Sequence, residues 1–236
     1  MRDKHTYEYF NNYTPHYNPE RFEFAFDYLN DEVRDGQNIL DIGCGDGATL
    51  NMIKARTPLQ NLCGLDISEN YAEKTRQAVG CAAIVGNILD DDLVYNHRGQ
   101  FDYCTLGSVL HHLIGKNRRE SASLARTCVK NAIDLLKPEG SLMIFEPAHS
   151  PLLLMNLVFW IKKIVGNFTN ERIELTRQWM NFGQPVVSYY TPKQLRSFID
   201  SVNGATVLSS TEVEVIRMGM VIKRVCLGII VKKNAE

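Results

Sequence analysis

Excess charge, paired cysteines and long apolar runs are all missing from this chain, and each absence removes a class of function. Its 26 basic residues nearly cancel its 27 acidic ones for a net charge of −1. No general electrostatic footprint therefore draws it to nucleic acid, and no nucleic-acid partner is expected. Its six cysteines, Cys44, Cys63, Cys81, Cys104, Cys128 and Cys226, form no C-x-x-C pair and fall mostly within apolar, strand-like runs. They read as reduced core residues, and Cys44 as packing within its turn, since no base is identifiable beside it. No cluster of His, Cys and acidic residues has metal-ligand spacing, so no metal is expected. The start, Met1-Arg2-Asp3-Lys4-His5, leads into aromatic and polar residues without the apolar segment and cleavage site of an export signal, which makes a cytoplasmic location the expectation. The most apolar stretch, Pro151 to Ile161, is shorter than the roughly 20 residues that cross a bilayer.

What is present begins with Ile39-Leu40-Asp41-Ile42-Gly43-Cys44-Gly45-Asp46-Gly47, a buried strand breaking into a glycine turn that opens a helix. Glycines at alternate positions let a ligand approach main-chain N–H groups with no Cβ in the way. A dinucleotide fingerprint is G-x-G-x-x-G, whereas the spacing here is G-x-G-x-G. Asp41 before the turn and Asp46 within it would repel a pyrophosphate and suit a ligand carrying positive charge. Leu62-Cys63-Gly64-Leu65-Asp66 reads as a second short strand ending in an acid, where such folds place the carboxylate that binds ribose hydroxyls. An adenosine with a cationic tail fits both features.

The chain is long enough to bury one substantial core, and residues 1–236 are expected to form a single domain. Pro19 to Asn30 predicts a helix, and Tyr7, Tyr9, Phe10, Tyr13 and Tyr17 before it predict either an ordinary N-terminal helix or a lid, giving a helical cap over about residues 1–33. From Asn38 onward, short apolar runs alternate with helical segments, the signature of a parallel sheet covered by helices on both faces, an α/β fold. Ser68 predicts an N-cap, Lys137-Pro138-Glu139-Gly140 a helix stop before a strand at Ser141 to Phe145, and Thr191-Pro192 a cap with a first-turn proline. Thr206 to Ile216 and Met220 to Val231 predict an antiparallel hairpin. Residues 147–190 are too long for an unstructured connection and predict a substrate cap. The segment Pro151 to Ile161 within it is apolar nearly all round, expected to bury itself, pair with a second subunit or make weak membrane contact. It favours an apolar or partly aromatic substrate over a highly charged one.

These motifs together resemble the class I S-adenosylmethionine-dependent methyltransferases, in the branch acting on small molecules and quinones. Ile39 to Gly47 resembles the family's first motif, Leu65-Asp66-Ile67-Ser68 the second, and Gly86-Asn87-Ile88 its adenine-contacting position. Phe101 to Leu106 with Val109-Leu110-His111-His112-Leu113 resembles the fourth strand and following helix, and Leu135 to Gly140 the approach to the fifth, covering roughly residues 35–147. The resemblance implies a Rossmann-like, doubly wound, mostly parallel seven-stranded sheet ending in an antiparallel hairpin, with S-adenosyl-L-methionine as cofactor. It implies that Asp41 and the turn Gly43, Cys44, Gly45 and Gly47 hold the methionine end, and that Asp66 accepts from the ribose hydroxyls. It further implies that Ile67 packs on adenine, that Asn87 and Ile88 meet its edge, and that Leu106 and Gly107 border the sulfonium. Many family members have Asp where Asn87 stands.

In-line methyl transfer depends chiefly on orientation, and a general base is optional. His111 and His112, after strand four, are the candidate bases; adjacent helical residues point about 100° apart, so one is expected to face substrate, with His111 favoured. Glu146, His149 and Tyr13 are candidate substrate-pocket residues. The strand-four end, Leu106-Gly107-Ser108, lacks the Asp/Asn-Pro-Pro-aromatic motif associated with amino-methylation of adenine or glutamine, and neither a Pro-Cys pair nor an acidic metal cluster is present. The expected activity is metal-independent methylation of a small apolar or aromatic metabolite at O, N or C. The alternatives are a lipid or protein side chain as acceptor, or a non-catalytic S-adenosylmethionine-binding partner protein.

Overall fold

The computed structural model of the chain describes residues 22–165, 186–215 and 223–235. Seven strands form one sheet in the order β3-β2-β1-β4-β5-β7-β6. They are β1 (Asn38–Ile42), β2 (Asn61–Asp66), β3 (Ala82–Val85), β4 (Phe101–Gly107), β5 (Leu136–Ser150), β6 (Ala205–Val215) and β7 (Lys223–Lys233). The pairs from β3 to β5 are parallel, whereas β7 runs antiparallel to both β5 and β6. The helices are α1 (Glu23–Glu32), α2 (Ala48–Arg56), α3 (Glu69–Val79), α4 (Asp91–His97), α5 (Arg118–Leu135), α6 (Leu152–Val165) and α7 (Pro192–Asp200).

Alternation of side chains along the strands divides the interior into two cores. Ile39, Tyr103, Met143, Phe145 and Ile230 pack with Phe22, Phe26 and Leu29 of the α1 region and with Leu50 and Ile53 of α2. Leu40, Ile42, Cys104, Leu106, Leu142 and Ile144 point the other way, into Cys128, Val129 and Ala132 of α5 and Leu195 and Phe198 of α7. Helix starts follow local chemistry. Ser68 Oγ accepts from the Tyr71 N–H, and Thr191 with Gln194 completes a capping box ahead of Pro192.

The sequence-based boundaries shift in three places. The first described helix is Glu23–Glu32, later than Pro19 to Asn30 suggests; residues 1–21, including Tyr13 and the rest of the aromatic leader, lie outside the described residues. No break separates α5 from β5: β4 pairs at Phe101↔Leu136 and resumes at Tyr103↔Ser141, so Lys137 to Gly140 is a bulge in one long strand, with Glu139 at φ 63°. That strand runs on to Ser150, into the predicted cap, because β7 pairs with it all the way from Ser141 to Ser150. The C-terminal hairpin forms as expected, and its turn lies outside the described residues. Among the described residues no helix is long and apolar enough to cross a membrane.

Candidate active site

In a parallel sheet whose strand order reverses beside its first strand, the crevice opens at the carboxyl ends of the strands on either side of the reversal. Here those are β1 and β4. The turn after β1 is held to the end of β2 by the Gly43 and Cys44 N–H groups, which donate to Leu65 O at 2.7 and 3.1 Å. Gly43 has φ +76°, and a Cβ there would sit 2.5 Å from Val109 Cγ2, so the close approach of the two loops needs glycine. At Gly45, φ +56°, a Cβ would meet nothing within 4 Å: this part of the turn faces open space.

Two carboxylates flank the turn. Asp41 is buried opposite Thr105 and accepts from its Oγ1 at 2.7 Å. Burial pushes the Asp41 pKa up to about 7, the Thr105 hydrogen bond opposing the rise and Asp66 adding to it. Asp66 Oδ2 accepts from the Gly45 N–H at 3.0 Å and Oδ1 from the Ser68 N–H at 2.8 Å, so this acid ties the turn to the end of β2. Burial raises its pKa while those amides, with that of Ile67, oppose the rise. A carboxylate has about four lone-pair sites, which leaves capacity for a ligand. Beside it the Ile67 side chain is 42% exposed, an apolar surface at the crevice mouth. Asn87 is half-buried and its Oδ1 accepts from Leu89 N–H at 3.1 Å, while Ile88 is buried and its carbonyl accepts from Asn131 Nδ2.

The opposite wall belongs to β4, β5 and the segment entering α7. After Gly107 the backbone passes through Ser108 at φ 57°, with the Ser108 N–H on Phe145 O, and then makes a single 3₁₀ turn, Leu110–His112. Non-glycine residues at positive φ concentrate where a site dictates the backbone. Glu146, on β5 and 1% exposed, binds this turn twice: Oε1 accepts from the Leu110 N–H at 2.6 Å and Oε2 lies 2.8 Å from His111 Nδ1. A carboxylate only accepts, so Nδ1 carries the hydrogen and Nε2 is left as the basic nitrogen. His111 O accepts from the Ser188 N–H at 2.8 Å, and the His149 N–H donates to Tyr190 O at 2.9 Å, which strings residues 188–190 between the turn and the end of β5. Tyr189 thereby lies between two histidines, its ring centroid 5.3 Å from that of His111 and 4.2 Å from that of His149. The His111 and His112 rings are 4.0 Å apart. Burial, with His111 and Lys162 nearby, holds His112 well below the ordinary histidine pKa, so it is neutral at physiological pH.

A family model described as a methyltransferase domain matches residues 40–142, the span from β1 into β5. A structure of an S-adenosylmethionine-dependent methyltransferase from Methanosarcina mazei superposes over 89% of this chain and 98% of its own with a TM-score of 0.63 at 17% identity. The N-methyltransferase NodS of Bradyrhizobium japonicum, solved with S-adenosyl-L-homocysteine, covers 98% of this chain and 99% of its own, with a TM-score of 0.59 and 15% identity. Residues 40–142 thus match a methyltransferase domain, and the fold is shared with S-adenosylmethionine-dependent methyltransferases. Among curated proteins, ribosomal RNA small subunit methyltransferase C of Salmonella typhi is 24% identical over 144 residues, which are 59% of this chain; the chain spans about two-fifths (41%) of that relative's length.

Within the methyltransferase domain, the structure brings the residues predicted to bind cofactor together at one rim, with one change. Leu106 is fully buried in the core, so only its backbone can border that rim, next to half-buried Gly107. Cys44 is packed inward, with Thr75 Oγ1 at 3.4 Å from its sulfur, and burial raises its thiol pKa far above the ordinary value. His111 and His112 sit on one tight turn rather than a regular helix, and both are largely enclosed. Tyr189, Ser188 and Arg118 go unremarked in the sequence, and Lys162 reads only as the polar end of the apolar segment; the aromatic pair Tyr189-Tyr190 just before the Thr191 cap is the signal that could have singled out the first two. A surface cleft of about 510 Å³ between α5, α7 and the end of β7 lies at the opposite end of the sheet. Its cations are committed to the fold: Lys130 pairs with Asp134, Lys233 binds Leu136 O and Arg126 lies over Phe198.

Proposed function

We propose that this methyltransferase domain methylates a small, partly aromatic metabolite without a metal, and that His111 removes the acceptor's proton. The observation that carries the proposal is the buried Glu146–His111 pair beside the crevice. A buried carboxylate on Nδ1 fixes the ring and its tautomer and stabilises the imidazolium formed when Nε2 takes a proton, so Glu146 is the positioning residue and His111 the base.

The opposite wall fits the cofactor. Asp41, raised to about 7, gains an ionic partner if a ligand ammonium approaches it. The turn Gly43, Cys44, Gly45 and Gly47 presents backbone toward that end, with open space at Gly45. Asp66 holds the ribose hydroxyls, exposed Ile67 covers the adenine face, and Asn87 and Ile88 meet its edge. Bound S-adenosylmethionine supplies a methyl group already activated for displacement. Leu106 and Gly107 then form the floor between the two walls, while Tyr189 and His149 shape the acceptor side and exclude water from His111.

A nucleic-acid acceptor, as in the name of the Salmonella relative, draws no support from a net charge of −1. A lipid acceptor is favoured by one feature: Leu153, Leu157 and Trp160 are exposed on one face of α6. Liposome co-sedimentation separates that reading, which requires binding.

The direct test is labelled methyl transfer from S-adenosylmethionine into a metabolite extract. Replacing His111 with Ala is expected to lower turnover roughly 10² to 10⁴-fold with cofactor affinity kept; full activity in this variant would remove the base assignment.

A further inference from the structure

The apolar segment that forms α6 contains a lysine turned inward. Met155, Phe159 and Lys162 lie at helical spacing on the buried face, and Lys162 is 5% exposed. The helix end is fixed there: Lys163 Nζ bonds the carbonyls of Gly115 and Lys116, in the loop that follows His111 and His112. One turn earlier Phe159 sits under the Arg118 guanidinium, 5.9 Å from its ring centroid. Arg118 donates through one nitrogen to Ser188 Oγ at 3.1 Å and Tyr189 O at 2.6 Å, while its other terminal nitrogen is buried without a hydrogen bond.

Among the described residues no carboxylate pairs with Lys162 or Arg118, and Glu146 is already engaged by Leu110 and His111. Buried ammonium groups are seldom kept without a counter-charge, because desolvation disfavours them strongly. We propose that Lys162, with Arg118 reaching from α5 over the ring of Phe159 three residues earlier, binds a carboxylate on the methyl acceptor, so that the substrate class is a small aromatic or apolar acid. This rests on the acceptor chamber lying beside His111. Two donors on separate side chains match the two oxygens of one carboxylate. Histidine and tyrosine rings at His149 and Tyr189 supply the surface for the acid's apolar body. Burial lowers the Lys162 pKa to about 8, which still leaves it charged at neutral pH and able to pair with an anion.

The test is calorimetry on the full chain loaded with S-adenosyl-L-homocysteine, using benzoate, salicylate and phenylacetate and their methyl esters as probes. At least one acid is expected to bind tenfold or more tightly than its ester. Lys162→Met should reduce that acid to the ester's affinity, Lys162→Arg should retain part of the preference, and S-adenosyl-L-homocysteine should bind alike in all three. Equal binding of every acid and ester, absence of binding at millimolar concentration, or a preference that survives in Lys162→Met overturns the inference. Methyl transfer into a metabolite extract, run in parallel, separates the two readings. Transfer unaffected by Lys162→Met removes the acid and keeps the enzyme, whereas acid preference without any transfer keeps the site and removes the enzyme reading.

Discussion

Replacing Lys162 by Met should make the ligand-free protein more stable. Burial lowers the Lys162 pKa from the 10.5 of a solvated lysine to about 8. At about 1.4 kcal/mol per pH decade, keeping this ammonium charged at neutral pH costs the fold roughly 3 kcal/mol. Methionine has similar length and no charge, and can rest beside Phe159 and Met155 without a partner. For a chain of this size each kcal/mol moves the midpoint by about 2 to 4 °C, so the gain has a ceiling of roughly 6 to 12 °C. The pH dependence gives an independent check. The unfolded lysine holds its proton up to its ordinary pKa, whereas the folded one releases it from about pH 8. The cost is therefore complete below pH 8 and is relieved as pH climbs toward 10.5. Thermal and urea denaturation of both proteins across that range should show a stability advantage for Lys162→Met that shrinks on the alkaline side. A variant no more stable than the parent at neutral pH, or an advantage that ignores pH, would show that Lys162 carries no such cost.

Three further outcomes follow from the geometry. Because Asp41 titrates near 7 and its ionised form is the one that pairs with a ligand ammonium, affinity for S-adenosylmethionine should fall as pH drops below about 7; calorimetry with Asp41→Asn should give weaker, pH-flat binding. Glu146→Gln should lower kcat by roughly tenfold or more while leaving the KM for cofactor nearly unchanged, and a parallel loss of cofactor affinity would point to a collapsed turn instead. Gly43→Ala should cost about 1 to 2 kcal/mol from its left-handed backbone alone, with the Val109 contact adding to it. Its thermal melt is the measurement, and an unchanged midpoint would show that the turn relaxes.

The parts of this protein legible in sequence are those whose chemistry is local. Glycine spacing from Gly43 to Gly47, the acid at Asp66 and the Thr191-Pro192 cap each act within a few residues, and the fold and rim follow from them. The acceptor side depends on tertiary placement. His111 and Glu146 can each be singled out by position after a strand, yet nothing between them in sequence says that they meet; β4 and β5 in parallel register bring them together. Lys162 is harder still, since it follows eleven mostly apolar residues and reads as the polar end of a greasy helix. Only the helix's rotation, pinned by Phe159 and Lys163, turns it inward. The helix-to-strand reading of Leu135 to Gly140 misses the bulge because a proline and a glycine signal a stop equally well in a loop and in an interrupted strand.

β5 outruns its neighbour. Its parallel partner β4 ends at Gly107↔Phe145, and from Glu146 to Ser150 it is carried by β7 alone on that side, with Tyr190 laid along the other. This end of β5 is thus a cantilevered ribbon outside the parallel half of the sheet, and on the proposed reading it is the acceptor side. If that reading holds, substitutions on the ribbon would change the acceptor while leaving the parallel strands, and the donor they are proposed to hold, undisturbed.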